Sequence, residues 1–147
     1  MTIEKKQTIT IEATINAPIE KVWKMWNAPE DITKWATGSP DWHTPYAEND
    51  LRVGGKFLSR MAAKNASASF DFVGTYDEVK INNVISYTIE DGRKVKATFT
   101  SIAQSVKIVQ TFEAETENTT EMQRAGWQAI LDNFKKRAES TLPLTTD

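Results

Sequence analysis

The sequence predicts an α+β fold in which a curved antiparallel sheet of about six strands wraps around one long C-terminal helix. Alternating polar and apolar residues recur between residues 56 and 113, a pattern typical of half-buried strands. The segment 121–139 instead has apolar residues at helical spacing. No repeat or linker divides the 147 residues, so we expect one domain over residues 1–147, with flexible ends at 1–6 and 141–147.

The first strand is predicted over residues 7–16, where apolar side chains alternate strictly with polar ones. Two short helices should follow it, because Pro18 and Pro29 each suit the first turn of a helix. In the second helix, Ile32 and Trp35 are three residues apart and therefore share one face. Both helices are expected to pack an apolar side against the sheet.

Residues 36–50 have no periodicity and contain two prolines. An irregular stretch of this length in a compact domain is usually functional or mobile. The stretch carries three side chains with aromatic rings, Trp42, His43 and Tyr46. We therefore expect a loop here, at the rim of a binding site.

Five further strands are predicted as an antiparallel meander, over residues 56–62, 66–79, 84–90, 94–102 and 105–113. Asp91-Gly92 is a sequence preferred by two-residue type I′ hairpins. Gly54-Gly55 and Gly74 are expected at bulges. The first strand is expected to pair with the last strand of the meander and to close the sheet into a curved grip.

The long helix is predicted to begin with a capping box, because Gln123 follows Thr120 by three residues. Met122, Gly126 and Ile130 lie on the stripe that is expected to face the sheet. Glycine costs about 1 kcal/mol against alanine inside a helix. Gly126 is therefore expected where the helix closely approaches the sheet or the contents of a pocket.

Composition excludes several kinds of chemistry. The chain has no cysteine, which excludes disulfides, thiol nucleophiles and thiolate metal sites, and its single histidine cannot alone form a His-rich metal site. A net charge of -2 predicts no general affinity for nucleic acid or anionic membranes. No stretch approaches the roughly 20 apolar residues of a membrane span. We expect a cytoplasmic protein, without membrane insertion and without a metal or cofactor.

Several segments resemble the SRPBCC superfamily of START-like and birch-pollen-allergen-like domains. They are APIEKVWKMW, PEDITKW, SPDWHTPYAENDLRVGGKF, EDGRK and EMQRAGWQAILDNF. Within that superfamily they resemble the bacterial branch related to the C-terminal domain of the activator of the ninety-kilodalton heat-shock-protein ATPase. The resemblance covers roughly residues 7–140 and implies a helix-grip fold. It also implies a cavity between sheet and helix that holds an apolar molecule.

Strand parity and helix periodicity indicate which side chains face this cavity. Phe70 and Phe72 share one face of their strand, and Gln110 falls on the apolar face of the last strand. The predicted ligand-binding residues are Trp35, Trp42, His43, Tyr46, Phe57, Phe70, Phe72, Tyr87, Phe99, Gln110, Phe112, Met122, Gly126, Trp127 and Ile130.

Five of these residues have two interpretations each. His43, oriented by a nearby carboxylate, is a weak candidate for a general acid or base, or else it anchors the loop. Gln110 either offers a hydrogen bond to a ligand or is satisfied by a bulge or a water. Trp35 and Trp42 either form the pocket rim or clamp the loop onto the helix, and Met122 is either a pocket wall or ordinary core.

Three functions follow as hypotheses. The first is a small-molecule-binding protein whose ligand is apolar or amphipathic, lipid-like or aromatic. The second is an enzyme of the cyclase, hydratase or hydrolase type that uses His43 in the same cavity. The third, implied by the resemblance alone, is a regulator that contacts a heat-shock ATPase. A monomer or a weak homodimer is expected.

Overall fold

A computed structural model describes residues 7–140, and the predicted flexible ends lie outside the described residues. The elements in chain order are β1 (Thr8–Ile15), α1 (Ile19–Asn27), α2 (Pro29–Trp35), β2 (Trp42–Asn49), β3 (Lys56–Ala63), β4 (Ser69–Lys80), β5 (Val84–Ile89), β6 (Lys94–Ile102), β7 (Ser105–Glu113) and α3 (Thr120–Ser140). This order confirms the predicted α+β class, with two short helices after the first strand and a long helix at the C-terminal end.

The strands form one curled antiparallel sheet in the order β1-β7-β6-β5-β4-β3-β2. The first strand pairs with the last as predicted, and Ile11 of β1 lies opposite Gln110 of β7. Alternate residues of β7 are buried, because one face of the strand is turned toward α3 and the core. The concave face of the sheet therefore holds the core, and α3 crosses it.

The sheet has seven strands where about six were predicted, because β2 occupies the segment that was expected to be a loop. β2 pairs with β3 at the edge of the sheet, and its register shifts between His43 and Tyr46. Pro45 lies within this shift and has no N–H to donate, which suits an edge strand. The shift and the exposed edge remove the strict alternation that would have revealed a strand.

The hairpin predicted at Asp91-Gly92 needs correction. A type I′ turn requires a positive φ at both residues, but only Gly92 has one, at 95°. The Gly92 N–H donates to the Ile89 carbonyl at 2.8 Å, so the turn is not the predicted type I′.

The bulge predicted at Gly74 is also misplaced. Gly74 pairs regularly with Phe57, and the bulge in β4 lies between Tyr76 and Glu78. Gly74 instead makes room for aromatic rings, because a Cβ there would stand 2.5 Å from the Phe57 ring.

The N-terminus of α3 is capped differently from the prediction. The Thr119 hydroxyl accepts a hydrogen bond from the Met122 N–H at 3.1 Å. The Gln123 side chain turns back to the preceding loop, where its Nε2 donates to the carbonyls of Glu115 and Asn118 at 3.1 and 2.9 Å. The predicted capping box between Thr120 and Gln123 is therefore wrong.

Side chains of α3 also cover the free edge of β1. Arg124 Nη1, Gln128 Nε2 and Lys135 Nζ donate to successive outward carbonyls of β1, those of Thr10, Glu12 and Thr14, at 2.9, 3.2 and 2.6 Å. An uncovered strand edge is a template for unwanted pairing. The helix therefore both packs against the concave face of the sheet and protects this edge.

The buried face of α3 packs against α1 and α2. Leu131, Phe134 and Ala138 are at most 1% exposed. The rings of Trp26 and Trp35 both meet the Phe134 ring edge-on, each with centroids 5.0 Å apart. The two short helices therefore hold one end of α3 through an aromatic cluster. Nowhere in residues 7–140 is a helix both long and apolar enough to cross a bilayer.

Gly126 does not mark a close approach, since it is exposed and a Cβ there would meet no atom within 4 Å. Gly126→Ala is therefore expected to raise the free energy of unfolding by about 0.5–1 kcal/mol, the helix preference of alanine. Urea denaturation followed by circular dichroism measures this. The reverse change at the exposed neighbour, Ala125→Gly, should lower it by a similar amount. A destabilised Gly126→Ala variant would mean that this glycine is required.

Candidate functional site

A pocket of about 330 Å³ lies between the concave face of the sheet and the three helices. It lies where the curled strands β3, β4, β5 and β7 face the helices. Its lining consists of Trp26, Asn27, Ile32, Trp35, Ala36, Asn49, Phe57, Ser59, Met61, Phe70, Phe72, Tyr76, Ile85, Tyr87, Arg93, Gln110, Trp127, Ile130 and Leu131. Most of these side chains are apolar or aromatic, as in sites for small organic molecules.

An aromatic cluster forms the wall on the side of β3, β4 and β5. The Phe57 ring lies over Gly74 and contacts the rings of Phe72, Tyr76 and Tyr87, with centroids 5.7, 5.4 and 4.8 Å apart. Edge-to-face and tilted contacts of this kind are favourable arrangements of aromatic rings. The wall is therefore held by its own packing before any ligand arrives.

Trp127 forms the wall on the side of α3. Its ring stacks on Phe112 at 4.0 Å, with an angle of 11° between the planes. It also meets Phe72 edge-on at 6.2 Å. This indole thus links β7 to β4 across the pocket, and Ile130 continues the same wall one turn along the helix.

One polar pair in the lining is already satisfied. The Tyr76 hydroxyl donates to Asn49 Oδ1. Asn49 Nδ2 in turn donates to the carbonyl of Asn27 at 2.8 Å, which joins β2 to the end of α1. Burial raises the pKa of Tyr76, so the phenol stays neutral at physiological pH. This chain of hydrogen bonds has a structural role at one side of the pocket.

Three other polar side chains in the lining lack such partners. Gln110 is 6% exposed and Ser59 8% exposed, and neither side chain hydrogen-bonds to another described residue. The hydroxyl of Tyr87 has no hydrogen-bond partner among residues 7–140 either, and burial raises its pKa. These groups can donate and accept hydrogen bonds, so they give an otherwise apolar pocket its polar character.

Arg93 is the charged side chain among the described residues that line the pocket. Its Nε donates to Asp91 Oδ2 at 2.8 Å, and its Nη1 lies 3.5 Å from the carbonyl oxygen of Glu113. The guanidinium is thus paired within its own hairpin. Within residues 7–140, no group of three or more acidic or histidine side chains is placed to hold a metal ion.

The structure brings eight of the predicted ligand-binding residues together around this pocket. They are Trp35, Phe57, Phe70, Phe72, Tyr87, Gln110, Trp127 and Ile130. Phe70 is 52% exposed, which places it at the mouth of the pocket. Trp35 is 7% exposed and donates its indole N–H to the Met25 carbonyl at 2.8 Å, so it is a fixed wall and not a rim.

The other residues predicted from the segment 36–50 lie outside the pocket. His43 is exposed on β2 and makes no hydrogen bond or ion pair with another described residue, which removes it from the cavity of the enzyme hypothesis. The Tyr46 ring, 43% exposed, lies under the Arg60 guanidinium, 5.6 Å from its centroid. Trp42 contacts Phe70, with ring centroids 5.9 Å apart, and borders a separate groove beside α3.

Four more of the predicted residues do not line the pocket, for other reasons. Phe99 and Phe112 face inward, but other rings cover them. The Trp23 ring packs on Phe99 with centroids 5.2 Å apart, and the Trp127 ring stacks on Phe112. Met122 is 62% exposed and Gly126 is exposed, because the buried stripe of α3 lies one position further along. A shift of one residue turns a helix face by about 100°.

Sequence reasoning missed several lining residues, among them Trp26, Asn49, Ser59, Met61, Tyr76, Ile85 and Arg93. Parity could have indicated four of them. Ser59 and Met61 alternate with Phe57 in β3, Tyr76 alternates with Phe72 in β4, and Ile85 alternates with Tyr87 in β5. The unrecognised strand β2 hid Asn49, and strand parity does not apply to Trp26 in α1 or to Arg93 in the hairpin.

A curled sheet gripping a long helix around an apolar pocket defines the helix-grip class of the SRPBCC superfamily. The sequence profile of the family described as Activator of Hsp90 ATPase homolog 1-like protein matches residues 16–139. The chain belongs to this family. No curated protein matches the chain.

Solved structures agree with this assignment. An AHSA1-like protein from Aeromonas hydrophila is 43% identical, with a TM-score of 0.85, covering 95% of this chain and 100% of its own. A protein from Cytophaga hutchinsonii is 54% identical, with a TM-score of 0.79, over 90% of this chain and 92% of its own. A protein from Chromobacterium violaceum, 22% identical with a TM-score of 0.78 over 91% and 98% of the two chains, shares the fold.

Proposed function

We propose that this protein binds a small, largely apolar molecule in the pocket between the sheet and α3. The observation that carries the proposal is the pocket itself, about 330 Å³ of space walled by aromatic side chains that are already fixed by mutual contacts. A preformed apolar site loses little conformational entropy when a ligand enters. Burial of ligand surface then supplies the binding energy.

Naphthalene is a suitable first probe, because it is apolar, flat and small enough for the space. Saturable binding is expected in a titration followed by 1H–15N NMR, with shift changes centred on Trp127, Tyr87 and Ile85. Filling the pocket with Met61→Trp should weaken binding at least tenfold, since Met61 lines the space and is half-buried. The same change at the exposed residue Met122 is the matched control and should leave affinity unchanged.

Two results would contradict the proposal. One is the absence of saturable naphthalene binding to the wild-type protein. The other is equal loss of affinity in the Met61→Trp and Met122→Trp variants. Native mass spectrometry of the protein purified from its own host tests the same proposal independently, by detecting a retained ligand.

The family description supplies the alternative of a heat-shock ATPase regulator. Measuring ATP hydrolysis by the bacterial Hsp90-type ATPase with and without this protein tests that alternative directly. The Met61→Trp variant separates the two ideas, because a regulator that acts through its outer surface would not respond to a filled pocket.

A further inference from the structure

Gln110 is a buried polar side chain on the otherwise apolar inner face of β7. It lies in the middle of β7, between Ile108 and Phe112, which are 0% and 1% exposed. Gln110 itself is 6% exposed, and it lines the pocket. Its backbone is regularly paired, opposite Ile11 on one side and Ala97 on the other, so no bulge turns the side chain outward.

The amide of this glutamine has no hydrogen-bond partner within residues 7–140. Its polar atoms open onto the pocket, since the fully enclosed side-chain atom without a partner in this part of the chain is Arg137 Nε. Neighbouring positions on the same face of the strand are apolar. The amide is therefore available to hydrogen-bond to a molecule that enters the pocket.

The chemistry of that partner follows from the groups around it. Besides Gln110, the lining has the hydroxyls of Ser59 and Tyr87 without hydrogen-bond partners in the described part of the chain. They come from β3 and β5, at other places around the curled sheet. An amide and two hydroxyls both donate and accept, which suits a hydroxyl or carbonyl oxygen on the ligand.

An ionised ligand group is disfavoured by the charges of the lining. Arg93 is the cation there, and Asp91 already pairs with it at 2.8 Å. A carboxylate inside the pocket would lose its hydration and would find no uncompensated positive charge among the residues that line it.

We infer that the ligand is a largely apolar alcohol, phenol or ketone whose uncharged oxygen bonds to Gln110, and that carboxylic acids are discriminated against. This inference rests on the proposed function, since it assigns a ligand class to the same pocket. Gln110 is thus a specificity-determining residue.

Three probes of one shape test the inference at pH 7: naphthalene, neutral 2-naphthol and ionised 2-naphthoate. In the wild-type protein, 2-naphthol is expected to bind about fivefold to tenfold more tightly than naphthalene, the gain of one net hydrogen bond. The acid is expected to bind at least tenfold more weakly than 2-naphthol. Equal affinities for all three, or a preference for the acid, would overturn the inference while leaving the proposed function intact.

The variant Gln110→Met removes the amide at nearly constant volume. Its preference for 2-naphthol over naphthalene should fall to about one, with naphthalene affinity retained or raised. Gln104→Met, at an exposed position in the turn after β6, is the matched control and should keep the wild-type preference. If the wild-type protein does not bind naphthalene, the result would instead count against the proposed function and the inference together.

Thermal unfolding gives a readout that does not depend on ligand. Because the amide opens onto the pocket and bonds to no other described residue, Gln110→Met is expected to keep or raise the Tm. A markedly lower Tm would mean that Gln110 has a structural hydrogen-bond partner, and it would overturn the inference.

Discussion

Replacing Phe134 with alanine is expected to lower the free energy of unfolding by about 3–5 kcal/mol, the range typical of large-to-small changes at fully buried aromatic residues. Phe134 is 0% exposed, and the rings of both Trp26 and Trp35 rest against it at 5.0 Å. Removing the ring leaves a cavity where α1, α2 and α3 meet. These helices cannot close it without abandoning other contacts, because Trp35 is also fixed through its N–H to Met25.

Guanidinium denaturation measures this loss, and Phe70→Ala is the matched control. Phe70 is 52% exposed at the pocket mouth, so the same truncation there should cost less than about 1 kcal/mol. If both variants lose the same stability, the assignment of Phe134 as the centre of the helix packing is wrong. The change should also loosen the pocket, since Trp26 and Trp35 form part of its lining.

Gly55→Ala is expected to destabilise the protein by about 3 kcal/mol or more, in spite of adding one carbon atom. A Cβ at this buried position would lie against the backbone carbonyl oxygen of Asp50, far inside van der Waals distance, and near the carbonyl of Arg52 at 3.0 Å. Backbone atoms cannot move aside as a flexible side chain can. The Gly55 carbonyl also accepts the Tyr76 N–H at 2.9 Å, so any displacement reaches β4.

The adjacent glycine offers a matched control for this prediction. A Cβ at Gly54 would meet nothing within 4 Å, and its φ of +83° costs an alanine only about 1 kcal/mol. Thermal unfolding of Gly54→Ala and Gly55→Ala should therefore give clearly different losses. Equal losses would show that backbone conformation, and not the clash with Asp50, decides the outcome.

The parts of the fold that the sequence predicted well are those with uninterrupted alternation. The bounds predicted for the last two strands, residues 94–102 and 105–113, are those of β6 and β7. Their ladder runs without a register shift from Val95 opposite Phe112 to Ile102 opposite Ser105. Because pairing and burial follow the same two-residue period in these strands, the sequence alone indicated where they begin and end.

The candidate site was predicted less completely, for two physical reasons. The register shift within β2 breaks the alternation, so the rings of Trp42, His43 and Tyr46 could not be assigned to faces. The second reason is helical: choosing Met122 and Gly126 as the inward stripe was wrong by one residue, and Gln123 and Trp127 take that face. Strand parity, by contrast, placed Gln110 and Phe72 in the pocket lining.

The pairing of β1 with β7, and the cover that α3 gives to β1, also set an order of events during synthesis. The hydroxyls of Thr10 and Thr111 meet at 3.1 Å although 101 positions separate them, and Arg124 reaches the Thr10 carbonyl from 114 positions away. The strand β1 therefore has no strand partner until β7 has been synthesised, and no cover for its edge until α3 has followed. Such non-local contacts slow folding, because a long loop must close before they form. We expect β1 to remain an exposed, unpaired strand on the nascent chain, and to dock in a late and concerted step.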